Sequence, residues 1–118
     1  ELASIFQYAR STAAQNNATT IVCLSGGVWT VKRGSACSST QDLRSLTPPD
    51  NTVIATTANA LPLTFYSNGT SNRSAGIIIC NNSVANKSTK ITVLNSGQIR
   101  VWSKGKSETG STLTSCTP

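Results

Sequence analysis

The second half of the chain constrains the fold most tightly. Three β-type blocks follow one another there: Leu61-Pro-Leu-Thr-Phe-Tyr-Ser-Asn-Gly69, Ala75-Gly-Ile-Ile-Ile-Cys80 and Ile91-Thr-Val-Leu-Asn-Ser-Gly-Gln-Ile-Arg-Val-Trp102. Asn-Gly and Ser-Gly punctuate them, and such dipeptides supply the positive φ that tight hairpins demand. Ahead of them stands a single helical pattern. Leu2, Ile5, Phe6, Ala9 and Ala13 recur at steps of three and four, which predicts an amphipathic helix from Leu2 to about Asn16. Glu1, Gln7, Arg10, Ser11 and Gln15 take its wetter face. Asn16-Asn17 is a natural stop, because Asn tolerates the left-handed conformation.

Between and after these blocks the pattern is shorter in period. Thr19–Leu24 and Val28–Lys32 read as strands around the hairpin signal Ser25-Gly26-Gly27. The stretch from Gly34 to Asp50 is polar, ends in Thr47-Pro48-Pro49-Asp50, and predicts a long irregular excursion. Thr52–Thr56 and Leu61–Tyr66 are short strands, Ser67–Ser74 a polar loop, and Ala75–Cys80 a buried strand by its continuous apolar run. Asn81–Ser88 is again a polar loop, and Lys90–Leu94 pairs with Gln98–Ser103 across Asn95-Ser96-Gly97. Phe65 and Ile78 are core candidates, and Ser111–Cys116 is a candidate edge strand. No internal repeat divides the chain, so residues 1–118 read as one domain.

A core built from 37% hydrophobic and 5% aromatic residues is lean, and covalent staples then matter. Cys23, Cys37, Cys80 and Cys116 are widely spaced, with no C-x-x-C pair to suggest zinc or redox chemistry. They read as two disulfides formed in an oxidising compartment, the periplasm or cell exterior. Of the three pairings, Cys23–Cys37 with Cys80–Cys116 avoids crossing the middle of the chain and is favoured. The second link would tie down a tail that otherwise frays.

Enzyme chemistry finds little to work with. Histidine is absent, which removes His-based acid–base catalysis and His metal sites. The four acids, Glu1, Asp42, Asp50 and Glu108, are scattered and form no evident carboxylate pair. No phosphate-cradling glycine motif occurs, and the N-x-[ST] triplets are what an Asn-, Ser- and Thr-rich chain produces by chance. The chain reads as a non-enzyme without cofactor, metal or small-molecule substrate.

Ten basic residues against four acids leave a net charge of +6, which raises encounter rates with anions. The basic residues with most to offer are Arg100, Lys104 and Lys106, with Trp102 between them. On a strand, Gln98, Arg100 and Trp102 share one face and Ile99 and Val101 the other. Gly105 is expected to leave the two lysines on a mobile segment. A guanidinium beside an aromatic ring, followed by flexible lysines, suits phosphate contact and base stacking. The bland alternative is that Trp102 covers the sheet and the lysines solubilise an edge strand. Lys32, Arg33 and Arg44 form a second basic area, but adjacent strand residues point oppositely, so it reads as a solvated edge.

The order of one helix, then strands carrying F-x-S-x-G, a-G-x-I-x-x-C and x-S-G-x-I-R-V, resembles the soluble domain of the GspH/FimT family of type II pseudopilins and type IV minor pilins. The resemblance spans nearly the whole chain. It implies an α+β pilin-like fold, an N-terminal amphipathic helix packed on two small antiparallel β-sheets. The chain opens in mid-helix without an N-cap, and the family pattern implies a hydrophobic half-helix upstream that anchors the subunit in the inner membrane. The implied work is that of a FimU/FimT-type minor pilin: with other minor pilins it forms a tip or priming complex for the major pilin, first in the periplasm and then on the extracellular pilus. Two other roles in the family are DNA uptake and type II secretion. DNA-uptake members resemble this chain near its last strand but carry Gly-Arg-x-Arg, where Gly97-Gln98-Ile99-Arg100 matches only the second arginine.

Overall fold

In the computed structural model the apolar stripe of the N-terminal segment becomes a helix, α1 (Leu2–Gln15), which buries Leu2, Ile5, Phe6, Ala9 and Ala13. The structure describes residues 2–38, 41–48, 51–57, 61–81 and 88–118, Asn81 by its backbone alone. The helix ends as the Asn pair predicts. Asn17 adopts φ 49°, and the Ala18 N–H donates to the Ala13 carbonyl at 3.0 Å, closing the last turn.

Eight strands follow among the described residues: β1 (Thr20–Ser25), β2 (Val28–Arg33), β3 (Asp42–Leu46), β4 (Thr52–Thr56), β5 (Leu63–Phe65), β6 (Ala75–Asn81), β7 (Thr89–Val93) and β8 (Ile99–Val101). They form two four-stranded sheets, ordered β3-β2-β1-β5 and β4-β6-β7-β8. Every neighbouring pair is antiparallel. Gly26 and Gly27 turn β1 into β2 with φ 57° and 79°, the twist that a two-residue hairpin needs.

The inner faces of both sheets meet α1. Val22, Trp29, Val31, Leu63 and Phe65 from one sheet and Ala75, Ile77, Ile91 and Val93 from the other share one core with the helix stripe. Phe6 and Trp29 pack edge to face at 5.9 Å, a geometry aromatic quadrupoles favour. The Thr20 hydroxyl donates to the Ala9 carbonyl at 2.8 Å, fastening β1 to the helix. Phe65 lies in this core, whereas Ile78 lies in a second, smaller cluster with Cys80 and Leu113.

Strand alternation explains that second cluster. Ile77 faces inward, so Ile78 and Cys80 face outward and need a cover. The C-terminal tail supplies it, held by Cys80–Cys116 with Cα atoms 5.9 Å apart. Cys23 likewise alternates with inward Val22, and Cys23–Cys37, also at 5.9 Å, brings the segment after β2 against the outer side of its sheet. Each disulfide thus fixes an irregular segment over the outer face of one sheet.

Three expectations change. The excursion from Gly34 to Asp50 contains β3, an edge strand that buries only Leu43 and Leu46 in part. With one wet face and one free edge, it needs too few apolar residues for alternation to stand out. Ser111–Cys116 makes no edge strand, only an isolated bridge between Lys106 and Thr112. Its Ser and Thr side chains bond locally instead, as in Ser115 Oγ to Thr117 O at 2.9 Å. Gly105 leaves no loose segment either: its N–H donates to Ser88 O and its carbonyl accepts from Leu113 N, both at 2.7 Å. Most of the polar loop Asn81–Ser88 lies outside the described residues, as do Glu1 and Asp50.

Candidate interaction surface

β8 is an edge strand, and its outer face carries the residues singled out from sequence. Arg100 lies over the Trp102 ring, its guanidinium carbon 5.9 Å from the centroid. Arg100 Nη2 donates to Gln98 Oε1 at 3.3 Å, so Gln98, Arg100 and Trp102 do share one face. Trp102 is half-buried, and its indole N–H donates to the Thr92 hydroxyl at 3.0 Å. That bond fixes the ring on β7, and the ring in turn supports the arginine.

The lysines do not extend this stack as a flexible arm. Lys104 is exposed two residues beyond Trp102. Lys106 Nζ turns to the Thr112 hydroxyl at 3.0 Å, across the bridge in the tail. An acid also enters the area. Glu108 accepts from Lys90 Nζ with both carboxylate oxygens, at 2.9 and 3.2 Å. The hydrogen bond from Lys90 is the largest cause holding the Glu108 carboxyl below its ordinary pKa, followed by one from its own backbone. Lys90 is therefore neutralised, and among the described residues the net positive charge here rests on Arg100, Lys104 and Lys106.

The second basic area is dispersed. Lys32 pairs with Asp42 at 3.5 Å and donates to Cys37 O at 3.0 Å. Arg44 stands over the Tyr8 ring at 5.2 Å, clamping β3 to the helix. These residues serve the fold locally.

Sequence reasoning placed Arg10 on the solvent side of α1 and missed its role. Its Nε–H donates to Gly69 O at 3.0 Å, where two loops of one design meet. In Ser67-Asn68-Gly69 and Asn95-Ser96-Gly97 alike, the glycine adopts positive φ, 86° and 87°, and its N–H returns to the residue that opens the turn. The loops touch at their glycines: a Cβ on Gly97 would fall on the Gly69 carbonyl. Ser71 N also donates to Asn95 O at 3.1 Å. The sequence marks each turn by its glycine, but no local pattern shows that the two turns meet. Beside this junction lies an open groove of about 470 Å³ between α1 and the start of β8, lined by Gln7, Arg10, Ser11, Ala14, Gln98 and Ile99 together with Asn68 and Gly69.

Among the described residues no group of acids or cysteines is placed to hold a metal ion, and no helix is long and apolar enough to cross a membrane. The arrangement offers contact chemistry: an edge strand, a stacked arginine and a polar groove. A family model for the type II transport protein GspH matches residues 1–97. The chain belongs to the GspH family. The match ends at Gly97, so it does not bear on β8 and the tail.

Solved structures agree with this GspH-type fold. The type IV minor pilin FimU of Pseudomonas aeruginosa superposes with a TM-score of 0.79 at 20% identity, covering 98% of this chain and 89% of FimU. A second FimU crystal form gives 0.73 at 24% identity, with 98% and 94% covered. The minor pseudopilin EpsH of the Vibrio cholerae type 2 secretion system gives 0.69 at 12%, with 86% and 90% covered. No curated protein matches the chain in sequence.

Proposed function

We propose that this GspH-family chain is a minor pilin of a type IV pilus, a structural subunit of the tip or priming complex that starts pilus assembly. The observation that carries the reading is the end-to-end likeness to FimU, 98% of the chain at a TM-score of 0.79, against 86% at 0.69 for EpsH. The role asks for a rigid body with sticky faces rather than a catalytic centre. Disulfides on both outer faces and a helix locked to both sheets supply the rigidity. The partners are other minor pilins and the major pilin. The subunit is held in the inner membrane by a hydrophobic helix upstream, with its globular part in the periplasm and later on the pilus.

Two readings compete. The exposed cations Arg100 and Lys104 on either side of Trp102 favour a DNA-binding minor pilin for uptake in natural transformation. The family model's own description favours a pseudopilin of type II secretion. One deletion strain separates all three. Loss of surface pili with the major pilin still made, restored by the full-length gene, supports the priming role. Normal piliation with lost secretion points to type II secretion, and normal piliation with lost transformation to DNA uptake.

A further inference from the structure

Among the described residues, the hydrogen-bond register of β8 leaves one edge open. Leu94 N donates to Gln98 O and Trp102 N to Lys90 O, each at 3.0 Å. These bonds make 94/98, 92/100 and 90/102 the bonded pairs of the β7–β8 ladder, with 93/99 and 91/101 between them. The N–H and C=O groups of Ile99 and Val101 therefore point away from β7. Val101 is also 52% exposed, among the most exposed large apolar residues of the described chain. The groove beside α1 reaches the start of this edge, at Gln98 and Ile99.

We propose that β8 is a docking edge for an extended segment of another protein, alternately apolar and acidic, which adds as a further strand to the sheet. Unpaired edge donors and acceptors are the template for strand addition, in which main-chain bonds give affinity and alternate side chains give specificity. Here the bonds come from Ile99 and Val101. On the inner face the incoming residues lie beside Ile99 and Val101, which favours apolar side chains. On the outer face they lie beside Arg100, which favours a carboxylate. Arg10 adds positive charge in the groove, and none of the groove's lining residues is acidic.

Charge also decides against self-pairing. The antiparallel register that engages Ile99 and Val101 of both copies sets Arg100 directly opposite Arg100, in a closely spaced non-bonded pair. This chain's own acids, Glu1, Asp42, Asp50 and Glu108, lie in no alternating apolar run. The occupant is thus a different, acidic chain. Naming it as a neighbouring subunit rests on the pilus-assembly reading, but binding at β8 is read on the isolated protein, so failure of one leaves the other standing.

The probe is an acetylated eight-residue peptide alternating Val and Glu, with its Val/Lys counterpart as control, titrated by fluorescence anisotropy and followed by amide exchange. The Glu peptide is expected to bind and to slow exchange at Ile99 and Val101 while leaving Arg100, already bonded to β7, unchanged. Val101→Pro removes an outward N–H without touching the β7 ladder, and is expected to weaken binding about three- to tenfold, the worth of one hydrogen bond. Arg100→Glu is expected to weaken the Glu peptide about fivefold and improve the Lys peptide. Equal binding of both peptides, or protection that maps elsewhere, overturns the proposal. So does an unchanged affinity in folded Val101→Pro. If that variant does not fold, the exchange pattern of the unaltered protein decides alone. Absence of peptide binding alongside salt-steep capture of a DNA duplex overturns it in favour of nucleic acid.

Discussion

Arg10 and Gly69 lie 59 positions apart, yet the guanidinium Nε–H of one donates to the carbonyl of the other at 3.0 Å. The bond sits where the β5 side of the first sheet, the β7–β8 turn of the second and the middle of the helix converge. A single carbonyl therefore reports on the relation of all three layers. It also leaves no room for a side chain on the neighbouring glycine.

Gly97→Ala tests that crowding. A left-handed backbone costs a non-glycine residue about 1–2 kcal/mol, and a Cβ driven into the Gly69 carbonyl adds about 1–3 kcal/mol of overpacking. Gly27→Ala is the matched control, since Gly27 has φ 79° and nothing within 4 Å of its added Cβ. Urea unfolding should show the larger loss at Gly97. Equal losses would mean that the two turns do not press on each other.

The helix stripe was legible because burial on one side of α1 repeats every three to four residues, and all five residues of the stripe are buried. The Ser96-Gly97 turn was legible because a three-residue hairpin loop needs positive φ at its third position. β3 was not legible. It buries little, and its Asp, Arg and Ser read as loop. Arg10 was hidden for a different reason: its partner is a carbonyl, and carbonyls leave no mark on sequence pattern. The lysine arm failed because Gly105, read as a hinge, is used for a close backbone approach to Ser88 and Leu113.

The two disulfides should differ in worth. On the chain-entropy account a link over 14 residues contributes about 3 kcal/mol and one over 36 about 4 kcal/mol. Cys80→Ser/Cys116→Ser should therefore lower the unfolding free energy more than Cys23→Ser/Cys37→Ser. It should also lift the tail from Ile78, and the Leu113 amide, bonded to the Gly105 carbonyl, would lose exchange protection. A smaller loss than in the Cys23/Cys37 pair would show that tail packing survives without the bond.

Stability should carry a small acid-side dependence from Glu108. Its folded pKa is depressed, so below its ordinary range the unfolded chain binds more protons and stability rises with pH there. The contribution is complete above the ordinary carboxylate pKa of about 4.3, and is lost as pH falls through the lowered folded value. An exposed pair of this kind supplies no more than ~1 kcal/mol. Thermal unfolding of Glu108→Gln from neutral to acid pH should show a flatter profile than the parent. Parallel profiles would mean that Lys90 stabilises nothing through this contact.

The nucleic-acid reading has the most to lose from the geometry. Arg100 lies across Trp102 and spends one donor on Gln98, Lys106 is engaged with Thr112, and Lys90 is neutralised by Glu108. Weak duplex binding is expected, confined to low salt. Replacing Arg100, Lys104 and Lys106 with Ala should flatten the salt dependence by about 0.9 log–log units per lost phosphate contact. Replacing Lys32 and Arg33 removes comparable charge and should change little, which separates a local site from net charge. Gln98→Arg is the sharper test. It deletes the acceptor that holds Arg100, adds a second guanidinium on the same face, and frees both forks for phosphate. Mobility shifts at low salt should then show tighter binding than the parent. If this variant binds no better, the β8 face is not a DNA site, and Arg100 is left as a cation poised for a carboxylate on a neighbouring strand.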